Sequence, residues 1–220
     1  MFKRFLNLFN RIRDKDTGKK EYKKKKLNNI VLPDEIDKSI PEFSLDNFPD
    51  PYVDGNIDSS CSFLIMDDLP ETFYLYERDF EDIKKATGID IKKDFKIVKC
   101  VGDDAGFIAK KYVKNSKDEL VLAILDITLG KMYKIEDGTI VRCDGVDVAV
   151  DIFKKYPNCD VRFCSAHRLS RDNAEIKKFI TKFENATNYK IEDYFFGKKS
   201  NRKKFILDMY RTYKESLKNK

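Results

Sequence analysis

From Cys61 onward the chain alternates short apolar runs with stretches of helical periodicity, and few folds accommodate that alternation. The runs are Ser62 to Met66, Lys96 to Val101, Leu120 to Leu125, Val161 to Cys164 and Tyr194 to Phe196. Between and after them the spacing predicts helices at about 79–87, 105–114, 146–156, 172–186 and 201–217. Strand and helix taking turns in this way predict an α/β domain built on a parallel sheet. Gly88 and Pro157 mark helix ends, and Asp172 with Glu175 has the spacing of a capping box. The segment 131–145 holds two alternating runs around Asp137-Gly138, which predicts a hairpin inserted after the third strand.

The first 60 residues have a different texture. Phe2, Phe5, Leu6, Phe9 and Ile12 fall at helical spacing among Lys3, Arg4, Arg11 and Arg13, a short basic amphipathic pattern. Residues 1–26 carry eleven Lys and Arg against three Asp and Glu, so they form a basic arm suited to an anionic membrane surface or a partner, or to packing on the domain itself. Residues 27–60, with Pro33, Pro41, Pro49 and Pro51 and no sustained period, are expected to be linker, leaving 61–220 as the domain. From Pro33 to Asp79 the charge reverses to thirteen acidic against two basic residues. The net charge of +6 therefore belongs to a tail, which argues against nucleic acid as the domain's partner. With 41% hydrophobic residues the chain can form a core without staples, and its five cysteines lack a C-x-x-C pair. No secretory signal and no apolar run of roughly 18 residues is read, so a cytoplasmic location is expected, with the arm available for peripheral contact at the inner membrane face.

In an open parallel sheet, functional groups collect beyond the carboxyl ends of the strands. Here the first strand runs into Asp67-Asp68, the third into Asp126, the fourth into Ser165-Ala166, and the fifth is followed by Gly197-Lys198. Singly, each has an ordinary role as a cap, a solvated carboxylate or a loop hydroxyl. Together at successive strand ends they describe one rim. Three carboxylates there would repel unless a cation neutralised them, and Mg²⁺ suits oxygen ligands while leaving room for a phosphoryl oxygen. A carboxylate can also be the nucleophile that forms an aspartyl-phosphate. Lys198 and Ser165 would then meet phosphoryl oxygens, and the small Ala166 would leave space for the group.

These segments, FLIMDDLP, ILDITLG, RFCSAH and DYFFGKKS, together resemble the receiver domains of two-component response regulators over about residues 61–217. The resemblance implies a flavodoxin-like (βα)5 doubly wound sheet of five parallel strands, here with the hairpin insertion and an N-terminal extension. It implies that Asp126 is the phosphoacceptor and that Mg²⁺ is held by Asp68, Asp126, the backbone carbonyl of Thr128 and Asp67, the last through water. Ser165 and Phe195 would form the switch pair, Lys198 would contact the phosphoryl group, and Ala166 and His167 would complete its environment, His167 tuning dephosphorylation. The phosphodonor would be a histidine kinase or a phosphotransfer protein. A downstream protein would read the surface of the fourth helix, fifth strand and fifth helix.

Four features depart from the family pattern. Gly130 and Lys199 stand where the family usually has proline, and Leu69 to Arg78 and the hairpin look like insertions. No output domain is recognised, so a partner or the arm would carry the signal. Two other functions fit the same fold class: a pseudo-receiver that binds protein without turning over phosphate, and a metal-dependent phosphohydrolase. Keeping three mutually repelling acids argues against the first, and the adjacent placement of Asp67 and Asp68 argues against dehalogenase-type chemistry, which needs acids two residues apart.

Overall fold

The computed structural model describes residues 44–127, 132–134, 138–165, 173–196 and 202–218. Within them the apolar runs become strands and the periodic stretches become helices, giving an α/β fold with a mostly parallel sheet. The strands are β1 (Tyr52–Gly55), β2 (Cys61–Asp67), β3 (Lys96–Val101), β4 (Glu119–Leu125), β5 (Met132–Lys134), β6 (Ile140–Arg142), β7 (Asp160–Cys164) and β8 (Phe195–Phe196). The main helices are α1 (Pro70–Thr87), α2 (Ala105–Asn115), α3 (Gly145–Lys155), α4 (Ala174–Thr187) and α5 (Arg202–Lys218).

The large sheet has the order β1-β3-β2-β4-β7-β8. All neighbours from β3 to β8 pair in parallel, and only β1 runs antiparallel, along the outer edge of β3. β5 and β6 form a separate two-stranded antiparallel hairpin between β4 and α3, with Gly138 at φ +85° in its turn.

Side chains on the central strands alternate between two cores. Leu64 and Met66 of β2 face the layer of α2, α3 and α4, while Phe63 and Ile65 face α1 and α5. Coverage of both faces explains why β2 and β4 read as unbroken apolar runs and not as apolar-polar alternation. Each large side chain buried in this way contributes about 1.5–3 kcal/mol.

Two stretches differ from the sequence expectation. β1 lies in the segment expected to be linker: its four residues are too short to show a period, and Asp54 is fixed by tertiary contacts, with Lys99 of β3 at 2.8 Å and Lys92 at 3.0 Å. Lys99, itself buried, also pairs with Glu77 of α1, tying edge strand, sheet and helix together. The first helix begins at Pro70, not near 79, so Leu69 to Arg78 is not inserted loop but its opening turns. Pro70 occupies the first helical position, where the missing N–H costs nothing, and Phe73, Tyr76, Phe80 and Ile83 make one buried stripe. Gly88 ends the helix in the left-handed conformation at φ 74°. Smaller shifts occur elsewhere. Tyr194 belongs to a 3-10 turn that leads into β8. The backbone N–H of Ile176 in the first turn of α4 bonds to the side-chain oxygen of Asn173 at 3.1 Å, while Asp172 lies outside the described residues.

A buried ion pair joins α1 and α5, which cover the same face of the sheet. Arg202, the first residue of α5, donates from Nε to Asp79 of α1, and both side chains are at least nine-tenths buried. The guanidinium also stacks over the Tyr76 ring, 4.8 Å from its centroid. Removing one member leaves the other charge buried and unpaired. Arg202→Met is therefore expected to lower the unfolding free energy by about 3–5 kcal/mol. Urea denaturation of wild type, Arg202→Met, Asp79→Ala and the double variant checks it, with the double variant losing much less than the sum of the single losses.

Candidate functional site

Strand register assembles the site. Met66 pairs with Leu125 across β2 and β4, and Leu125 pairs with Phe163 across β4 and β7. The following residues, Asp67, Asp126 and Cys164, therefore leave the sheet side by side, with Asp68 and Ser165 one step further on. The chain crosses from β2 outward to β3 and then returns to the other side for β4, so β2 and β4 flank the point where the winding reverses. Ligands of open α/β sheets sit at such points.

One carboxylate oxygen from each of Asp67, Asp68 and Asp126 can be chosen so that all three lie within 4.8 Å of one another. Asp67 is buried and Asp68 partly exposed. Asp67 Oδ1 accepts a hydrogen bond from the backbone N–H of Leu69 at 2.9 Å, at the entry to α1, and its carboxylate also bonds the side chain of Thr72. Burial is the largest influence on Asp67, and with the charge of Asp68 it outweighs these hydrogen bonds and the Arg202 cation, pushing its pKa up to about 6. The three hard oxygen donors fit a divalent cation, whose charge would relieve both the repulsion and the desolvation. This acidic cluster could hold a metal.

The surroundings are built to keep these groups in place. Asp126 donates its backbone N–H to the Met66 carbonyl at 2.9 Å. On its other side stands Gly145, where a Cβ would lie 1.9 Å from the Asp126 carbonyl oxygen, so only glycine can occupy that position. Cys164 bonds the buried Tyr76 hydroxyl. Burial, with the Asp126 and Asp67 charges, pushes its thiol up to about 11 against the opposing Tyr76 bond and Arg202 charge, which favours the protonated thiol.

Of the residues singled out from the sequence, Asp67, Asp68 and Asp126 come together, and Ser165 is buried at the end of β7. Phe195 lies on β8 opposite Phe163, half-buried against the α2-α3-α4 core. Thr128, Ala166, His167, Lys198, Lys199 and Gly130 lie outside the described residues. Sequence reasoning missed Thr72, Gly145 and Arg202. Pro70 was a usable signal for the first, since a helix starting there places Thr72 in its opening turn. Arg202 had none, because its partners Asp79 and Tyr76 are over a hundred positions away.

No family model, curated protein or solved structure matches this chain.

Asp67 holds its proton more tightly in the folded chain, at about 6, than at the ordinary carboxyl value of 3.8. Its contribution to folding therefore falls as pH rises between those values and stays low above them. Asp67→Asn, which keeps an acceptor for Leu69 but cannot ionise, is expected to stabilise the cation-free protein at pH 7 by about 2–3 kcal/mol. Urea denaturation in the presence of a chelator checks this at pH 4 and pH 7. The wild type should lose the advantage of low pH that this carboxyl confers, and equal stability of the two proteins at pH 7 would count against the mechanism.

Proposed function

We propose that this protein is a phosphorylation switch of the receiver type, in which Asp126 accepts a phosphoryl group from a histidine kinase or phosphotransfer protein in a Mg²⁺-dependent reaction. One observation carries the reading: Asp67, Asp68 and Asp126 cluster within 4.8 Å where the winding of the sheet reverses. The order β3-β2-β4-β7-β8 of the parallel strands supports a flavodoxin-like sheet, with the β5-β6 hairpin as an insertion after its third parallel strand and β1 as part of the N-terminal extension.

Asp67, Asp68, Asp126 and the carbonyl of Thr128 would hold the Mg²⁺. Bound there, the cation neutralises charge on the phosphoryl oxygens. An oxygen of the Asp126 carboxylate forms the new bond to phosphorus as the bond from phosphorus to the donor's imidazole nitrogen breaks. The electron pair leaves with the imidazole, which is neutralised by its remaining or incoming proton, and no redox change occurs. Gly145 and the Met66 carbonyl keep the Asp126 backbone fixed during the transfer. Ser165, one residue beyond the level of Asp126 on the neighbouring strand, donates its hydroxyl to a phosphoryl oxygen, and Phe195 follows it inward, so that one charge-changing event biases a two-state element. Lys198, Ala166 and His167 complete the phosphoryl environment in this reading. The face of α4, β8 and α5 passes the change to a partner protein, and residues 1–26 offer a basic contact for an anionic membrane surface.

The test is intact-protein mass after incubation with a small acyl-phosphate and Mg²⁺. Wild type should gain one phosphoryl group, while Asp126→Asn and wild type with chelator should gain none. A folded wild type that stays unmodified under all these conditions would overturn the proposal in favour of a protein-binding module with no phosphoryl chemistry.

A further inference from the structure

Asp144 caps α3 with its two oxygens divided between tasks. Oδ1 accepts from the backbone N–H groups of Val146 at 2.9 Å and Asp147 at 3.0 Å, while Asp147 Oδ2 accepts from the Asp144 N–H at 3.2 Å. Oδ2 of Asp144 faces Lys182 of the neighbouring helix α4, whose Nζ lies 3.0 Å from it and 2.7 Å from Asp147 Oδ2. Asp144 is buried, so two carboxylates three residues apart share one cation in a partly desolvated place. A capping box needs no such cation to form. This one abuts the backbone of Asp126 and Ile127. Gly145, next to the cap, leaves no room for a Cβ against the Asp126 carbonyl, and its N–H points to the Ile127 carbonyl at 3.4 Å.

We propose that Lys182 is a positioning residue for the carboxylate pocket, holding Asp126 in place through Asp144 and Gly145. Without Lys182 the Asp144 and Asp147 charges repel, the cap opens, and the start of α3 withdraws from the back of Asp126. The same contact ties α4, the helix that follows Ser165, to the start of α3. The geometry stands on its own, and its consequence for binding rests on the reading of the pocket as a cation and phosphoryl site. Outer partners of a metal ligand change affinity in this way without touching the ion.

The experiment uses the full chain with Lys182→Met and Lys182→Arg. Its first readout, taken without metal, is the backbone and carboxyl chemical shifts of Asp126 together with amide hydrogen exchange at Gly145 and Val146. Lys182→Met should move the Asp126 signals and speed both exchanges while leaving Asp68 unchanged, and Lys182→Arg should restore the wild-type values. The second readout is calorimetric titration with Mg²⁺, in which Lys182→Met should bind about tenfold more weakly and Lys182→Arg within about twofold of wild type. Unmoved Asp126 signals in Lys182→Met overturn the proposal, as does Mg²⁺ binding as tight as in wild type with only a lowered melting temperature. Moved signals in a chain whose wild type binds no Mg²⁺ would instead uphold the positioning role and overturn the cation reading.

Discussion

Mutual repulsion of Asp67, Asp68 and Asp126 is the constraint around which the rest of the molecule is arranged. Folding brings these carboxylates within 4.8 Å of one another, and the buried one takes up a proton readily, with a pKa near 6. Like charge opposes that approach. It is imposed by strand register, because Met66, Leu125 and Phe163 align across three parallel strands whose apolar side chains are buried on both faces. The hydrophobic effect is not directional, but once the strand periods match the two cores, a one-residue slip would turn every core side chain to the wrong face. Packing thus brings these strand ends together, and hydrogen bonds at Asp67 and Asp126 fix them there.

Two of the described cations are committed to other carboxylates. Arg202 acts on Asp67 from the start of α5, where it is already committed to Asp79 and to the face of Tyr76. Lys182 serves the cap of α3. Arg202 thus eases the Asp67 charge while paired elsewhere, and burial still dominates.

Much of this was legible in the sequence, and the reason is the period. Runs such as Leu120 to Leu125 are apolar throughout because both sheet faces are covered, and helical stripes such as Ile176, Phe179, Ile180 and Phe183 record a single buried face. The acids at the strand ends could be placed because a strand end is where a period stops. The parts that could not be read depend on partners distant in sequence. Tyr52 to Gly55 is a strand because Asp54 meets Lys99 and because Gly55 lets the chain pass close to Phe95, where a Cβ would lie 2.6 Å from the carbonyl oxygen. Arg202 reads as one more surface cation until α1 is laid beside it.

The segment ahead of β1 and the β5-β6 pair are not independent. Phe48, just ahead of β1, stacks on Phe107 of α2 at 4.9 Å and meets Tyr133 of the hairpin edge-on at 5.1 Å, and Tyr133 bonds Asp104 at the start of α2. Lys111 fastens the same segment by bonding the Phe48 carbonyl at 2.7 Å and pairing with Asp50 at 3.0 Å. A three-residue strand pair is too short to persist by its own ladder. The hairpin owes its place to this aromatic cluster, whose rings gain both burial and edge-to-face contact. The segment ahead of β1 and the β5-β6 pair therefore pack together on α2.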